Sequence, residues 1–173
     1  MPSIVGFHTN DEKRCLKFVR EDVVINYQDV QWLGFGMYFW DNLGNAKYWL
    51  GEKRRKHPKV AKWLIVQAEV DTSNLLDLAD DEILGFLNQL WERYCEKKKC
   101  LKEQPLGKKI DMLFDFVDSL NVYKVIKGFG SYEWIIKADF LGDSRIVNNI
   151  KTIYCVRSGN NAIIYNREIK EVG

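Results

Sequence analysis

"QWLGFGMYFWDNLGNAKYW", residues Gln31 to Trp49, sets three glycines among Trp32, Phe35, Tyr38, Phe39, Trp40, Tyr48 and Trp49. A buried strand would favour Val and Ile, and a plain turn has no use for so many rings. Glycine lets a second backbone or a ligand come close. Aromatic faces offer flat surfaces on which another ring can stack. The mixture reads as a cradle for a flat ligand. Locally, Gly36 to Trp40 is expected to be a strand, because aromatics suit extended chain. Asn42 to Arg55 is expected to be a helix capped by Asp41 or Asn42, since Ala46, Trp49 and Leu50 recur at helical spacing.

The same reading extends outward in both directions. Upstream, Ser3 to His8 is a short apolar strand, Thr9-Asn10-Asp11 a polar turn, and Glu12 to Val19 a short helix. Downstream, Lys62 to Val70 is a strong strand, followed by the short run "TSNLLDLAD". Glu82 to Leu101 is the clearest helix, with Ile83, Leu87, Leu90, Trp91, Tyr94 and Cys95 on one face. Pro105 and Gly107 end that segment. A further helix, Lys109 to Leu120, turns Ile110, Leu113, Phe116, Val117 and Leu120 inward. Three strands are then expected, Tyr123 to Phe129, Tyr132 to Ala138 and Lys151 to Arg157, with a fourth over Ala162 to Tyr165. Strands at both ends and longer helices between them predict an α+β fold with non-local sheet pairing, in one domain over residues 1–173.

Composition narrows the function classes. A hydrophobic fraction of 46% and an aromatic fraction of 13% describe a folding chain, and a net charge of +2 demands no nucleic acid partner. Positive charge is nevertheless clustered at Lys53, Arg54, Arg55, Lys56, Lys59 and Lys62, and again at Lys97, Lys98, Lys99 and Lys102. Cys15, Cys95, Cys100 and Cys155 form no Cys-x-x-Cys and have no histidine at ligand spacing, so zinc is not expected. Cys95 and Cys100, five positions apart, should point in different directions on an ideal helix. The start of the chain has neither a basic stretch nor a long apolar run, so no leader peptide is expected. No run approaches the roughly 18 apolar residues of a membrane span. Free thiols and a cytoplasmic location follow as expectations.

A histidine followed by Thr at the end of a first strand is one landmark, His8-Thr9. A Gly-x-Gly-x-Tyr-Phe strand is the second, Gly34 to Phe39. An Ala-x-Tyr on the next helix is the third, Ala46-Lys47-Tyr48. In this order they resemble the catalytic domain of the diphtheria-toxin-type ADP-ribosyltransferases, the group that includes the poly(ADP-ribose) polymerases. "WLGFGMYFW", "AEVDTSNLLDLAD", "VIKGF" and "IYCVR" are similar to a narrower group of bacterial proteins, from which this chain departs at Phe35, where that group has a polar residue.

The resemblance implies an ADP-ribosyltransferase-like split mixed β-sheet flanked by helices, with NAD as substrate. It implies that His8 bonds the adenosine-side ribose and that the backbone at Thr9 or its neighbour clamps the nicotinamide amide. Tyr38 would stack on the nicotinamide, Tyr48 would cover its other face, and Gly36 would leave room for the dinucleotide. The family's late-strand Glu falls at Thr152 or Ile153, neither of them acidic. Thr152 can hold a ribose hydroxyl but cannot act as a base at neutral pH. Glu133 in "SYEW" is the candidate carboxylate, and Glu69 a lesser one. The implied activity is mono-ADP-ribosylation of a nucleic acid or protein acceptor by a bacterial toxin or phage-defence effector, with an antitoxin as partner. A nucleic acid acceptor would use Lys53, Arg54, Arg55 and Lys56. Two readings stand beside it: an NAD- or ADP-ribose-binding module without transfer, and a nucleic acid-binding protein.

Overall fold

In chain order the elements are β1 (Ser3–Asp11), α1 (Glu12–Arg20), β2 (Tyr27–Asp29), β3 (Gly34–Trp40), α2 (Leu43–Lys56), β4 (Trp63–Asp71), β5 (Leu75–Asp77), α3 (Asp81–Lys98), α4 (Leu106–Phe116), β6 (Val125–Ser131), β7 (Ile150–Arg157) and β8 (Ile164–Val172). They come from a computed structural model that describes residues 1–172. The fold is mixed α+β. One eight-stranded open sheet runs β5-β6-β7-β3-β1-β4-β8, and β2 adds to the start of β3. Its pairs are antiparallel except β5 with β6.

Both faces of the sheet are covered. Cys15 and Phe18 of α1 pack with Met37, Phe39, Leu64 and Val66 on one face. Ala46 and Leu50 of α2, Trp91 and Tyr94 of α3, and Ile110 and Leu113 of α4 pack with Trp40, Trp63, Ile65 and Ile153 on the other. Double coverage explains why β4 reads as a near-continuous apolar run: Trp63 to Val66 are all buried. Among the described residues, no helix is long and apolar enough to cross a membrane.

Several expectations shift. β1 runs on through the expected turn to Asp11, because β4 pairs with it from Ser3↔Asp71 to Asp11↔Trp63. Asp11 then caps α1 by accepting the Arg14 N–H at 3.0 Å. Tyr132 to Ala138 is not a strand. Tyr132 turns inward to bury its ring, and the Ile135 N–H donates to its carbonyl at 3.0 Å, closing a turn. α4 begins earlier than expected, with Pro105 at its cap, and ends at Phe116; Leu120 belongs to a following 3₁₀ turn. α3 stops at Lys98 because Lys99 takes the left-handed conformation, φ 51°. That reversal brings Cys100 back over the helix, to 3.1 Å between its Sγ and that of Cys95, so the two thiols converge instead of diverging.

Candidate functional site

The sheet is nearly divided between β1 and β3. Among the described residues only Phe7↔Trp40 joins them, while β2 takes the same edge of β3 at Tyr27↔Gly36. Between those two points β1 keeps its full pairing to β4 and leaves β3. A notch in the pairing results, bordered by Met37 to Phe39 on one side and His8 to Asn10 on the other, and all of these residues except the half-buried Tyr38 are buried.

His8 closes the notch from within. Its Nδ1–H donates to the Tyr38 carbonyl at 2.6 Å, since a carbonyl can only accept. Its Nε2 therefore accepts, from Asn10 Nδ2 at 3.2 Å. The ring stands in for a missing rung of the ladder. Burial lowers its pKa from 6.5 to about 4; the Tyr38 bond opposes this, and the charges of Lys53 and Arg14 add to it. His8 is neutral at physiological pH, and Nε2 carries the one lone pair that a ligand hydroxyl could claim in place of Asn10.

The other expected residues divide between the two faces of the sheet. Thr9 is buried, and its Oγ1 donates to the Ala46 carbonyl at 3.0 Å, stitching β1 to α2. The half-buried Tyr38 lies on this α2 side, opposite Cys155. Its hydroxyl donates to the Gly34 carbonyl at 2.6 Å and accepts the Leu33 N–H at 3.1 Å. Burial raises its pKa. Tyr48 lies on the same side, half-buried, its hydroxyl accepting Trp134 Nε1–H at 3.0 Å and its ring edge-on to Tyr132 at 6.1 Å. His8 leans the other way, 6.1 Å from the Phe39 ring. Thr152 also lies away from Tyr38, because it alternates with Ile153, which shares the α2-side core. Glu133 is exposed and makes no hydrogen bond or ion pair among the described residues, but both its neighbours, Tyr132 and Trp134, touch Tyr48.

The opening glycines are filled by the protein itself. A Cβ on Gly36 would run into the Val156 carbonyl and the Cys155 Sγ. Gly34, at φ +80°, is backed by Asp111. Asp111 accepts from the Phe35 N–H at 3.0 Å and Arg157 at 2.5 Å through Oδ1, and from Gln28 at 2.6 Å through Oδ2. The rings of the same stretch mostly face one another: Trp40 stacks on Trp49 at 5.7 Å and Trp32 on Tyr132 at 6.2 Å. A cavity of about 420 Å³ opens beside Trp32, floored by Gly128 and Gly130. A second, of about 200 Å³, lies between α3, α4 and Leu76. Neither is lined by His8, Tyr38 or Tyr48.

Sequence reasoning missed Asn10 and Asp111. Asn10 was within reach, since a residue two along an extended strand shares the face of His8. Asp111 had no local signal, because its partners are distant in the chain. Compared with protein-family models, curated proteins and solved structures, the chain matches none of them.

Proposed function

We propose that this chain is an NAD-dependent mono-ADP-ribosyltransferase, a bacterial toxin or phage-defence effector acting in the cytoplasm on a macromolecular acceptor. The observation that carries the reading is the notch in a divided mixed sheet, with His8 bonded to the backbone of Tyr38 and Tyr48 on the helix beside it. Neutral His8 can receive a ribose hydroxyl at Nε2. Tyr48 and the exposed Trp134 supply rings on the α2 face of the sheet.

In the reaction the bond between nicotinamide nitrogen and ribose C1′ breaks. Its electron pair leaves with nicotinamide, and positive charge develops on the ribose. An acceptor oxygen or nitrogen forms the new bond to C1′ and loses its proton. Holding NAD bent lowers that barrier, and a nearby carboxylate would stabilise the cation. Glu133 is that carboxylate in this scheme. Arg54, Arg55 and Lys56, exposed at the end of α2, are the contacts for a nucleic acid acceptor.

One observation favours the second reading, NAD or ADP-ribose binding without transfer. β7 offers Thr152 and buried Ile153 where a carboxylate would serve, and among the described residues none orients Glu133. Incubation with labelled NAD and cell lysate, followed by nuclease or protease digestion, separates the readings. Transfer labels a digestible macromolecule; binding alone retains NAD unchanged.

A further inference from the structure

Four consecutive cations end α2, but they do not share one environment. Arg55 pairs with Glu52 at 2.7 Å and Lys56 reaches the same carboxylate at 3.8 Å. Arg54 is exposed. Lys53 continues the inward stripe of Ala46, Trp49 and Leu50, and it is half-buried. Its Nζ stands 5.9 Å from the ring of Tyr27 and 5.9 Å from that of Trp63. Tyr27 closes one end of the notch, and Trp63 pairs with Asp11 at the end of β1. The ammonium is thus held across the notch mouth on two aromatic faces.

Among the described residues, Lys53 has no carboxylate within ion-pair distance and makes no hydrogen bond. Arg14, in the first turn of α1, adds a second cation, held by Asp11 at 3.5 Å. Burial lowers the pKa of Lys53; the charges of Arg14 and Lys56 lower it further, and Asp11 opposes them. Lys53 is half-buried with no carboxylate of its own, and the exposed Arg14 beside it shares Asp11, so the positive charge at Lys53 is unfavourable until an anion arrives.

We propose that Lys53 and Arg14 form a diphosphate-binding site at the mouth of the notch. Lys53 serves there as a point charge seated on Tyr27 and Trp63, and Arg14 as a forked donor. The ligand class is a nucleoside diphosphate, which in the function proposed above is the central diphosphate of NAD; the inference rests on that reading. Lys53 then belongs to the nucleotide site and not to an acceptor-binding face with Arg54, Arg55 and Lys56.

The test is calorimetric titration of the parent, Lys53→Met and Arg14→Gln with NAD, inorganic pyrophosphate and nicotinamide riboside. Met keeps an unbranched stem over the two rings without the charge, and Arg14 is exposed enough for Gln to leave folding intact. Both variants should bind NAD and pyrophosphate about tenfold more weakly or worse, as expected for one lost charged contact. Riboside affinity should not change, and the salt dependence of NAD binding should be shallower in each variant. NAD affinity equal to the parent's in both folded variants overturns the site while leaving the NAD reading standing. Pyrophosphate binding that depends on Lys53, in a chain that does not bind NAD, supports the site and sinks the NAD reading. A parent that binds neither compound refutes both.

Discussion

Neutral, buried His8 makes the stability of this protein depend on pH in a way that one substitution removes. Its pKa falls from 6.5 to about 4 on folding, because burial penalises the imidazolium. The unfolded chain therefore takes up a proton that the folded chain refuses. Stability is full above the unfolded value, declines as pH falls from about 6.5 toward 4, and levels off below. The shift corresponds to about 3 kcal/mol over the whole window. Between pH 7 and 4.5 the loss is roughly 2 kcal/mol. Carboxylates titrate nearby, so the parent must be compared with His8→Gln. Glutamine can still donate to the Tyr38 carbonyl and accept from Asn10, and it does not titrate. Urea unfolding of both proteins across this range should give a parent curve steeper by about 2 kcal/mol. Parallel curves would refute the assignment of a buried neutral imidazole between β1 and β3.

Gly36→Ala should cost on the order of 1–3 kcal/mol in urea unfolding, because a methyl there meets the Val156 carbonyl within a paired strand; an unchanged midpoint would show that the strands are not so close. Glu133→Gln should cut transfer by the order of 10² while NAD affinity barely moves, as for a contact made mainly in the transition state. Unchanged turnover would remove Glu133 and leave Thr152→Val as the next variant to assay.

Much of the fold could be read from local pattern. The apolar run of β4 and the one-faced stripe of α3 carry their own periodicity, and the cap at Asn42 accepts the Asn45 N–H at 2.9 Å, as such a residue should. β2 was missed because three residues, two of them exposed, show no alternation. Tyr132 to Ala138 misled because its aromatic and branched residues suit a strand; Tyr132 is buried through distant Trp32 and Tyr48. The end of α3 turns on Lys99 adopting a left-handed backbone, which lysine does not advertise.

The candidate site was legible in part. The stripe through Ala46, Trp49 and Leu50 pointed onward to Lys53, but a run of four cations hid it. The glycines spoke of close approach, and what approaches is Asp111 and Val156, far away in sequence. Nor could spacing reveal that His8 and Thr152 lean to one face and Tyr38 and Tyr48 to the other, because that depends on the registers Phe7↔Trp40 and Trp40↔Ile153.

The central claim is that the notch holds NAD for transfer of a single ADP-ribose. Its most direct measurement incubates the parent and Tyr48→Ala with NAD labelled in the adenylate phosphate and cell lysate, and follows both label in macromolecules and free nicotinamide. The expected result is label that nuclease or protease removes, nicotinamide released in equal amount, and both sharply reduced in Tyr48→Ala. NAD recovered intact, with no label transferred by the parent, would contradict it.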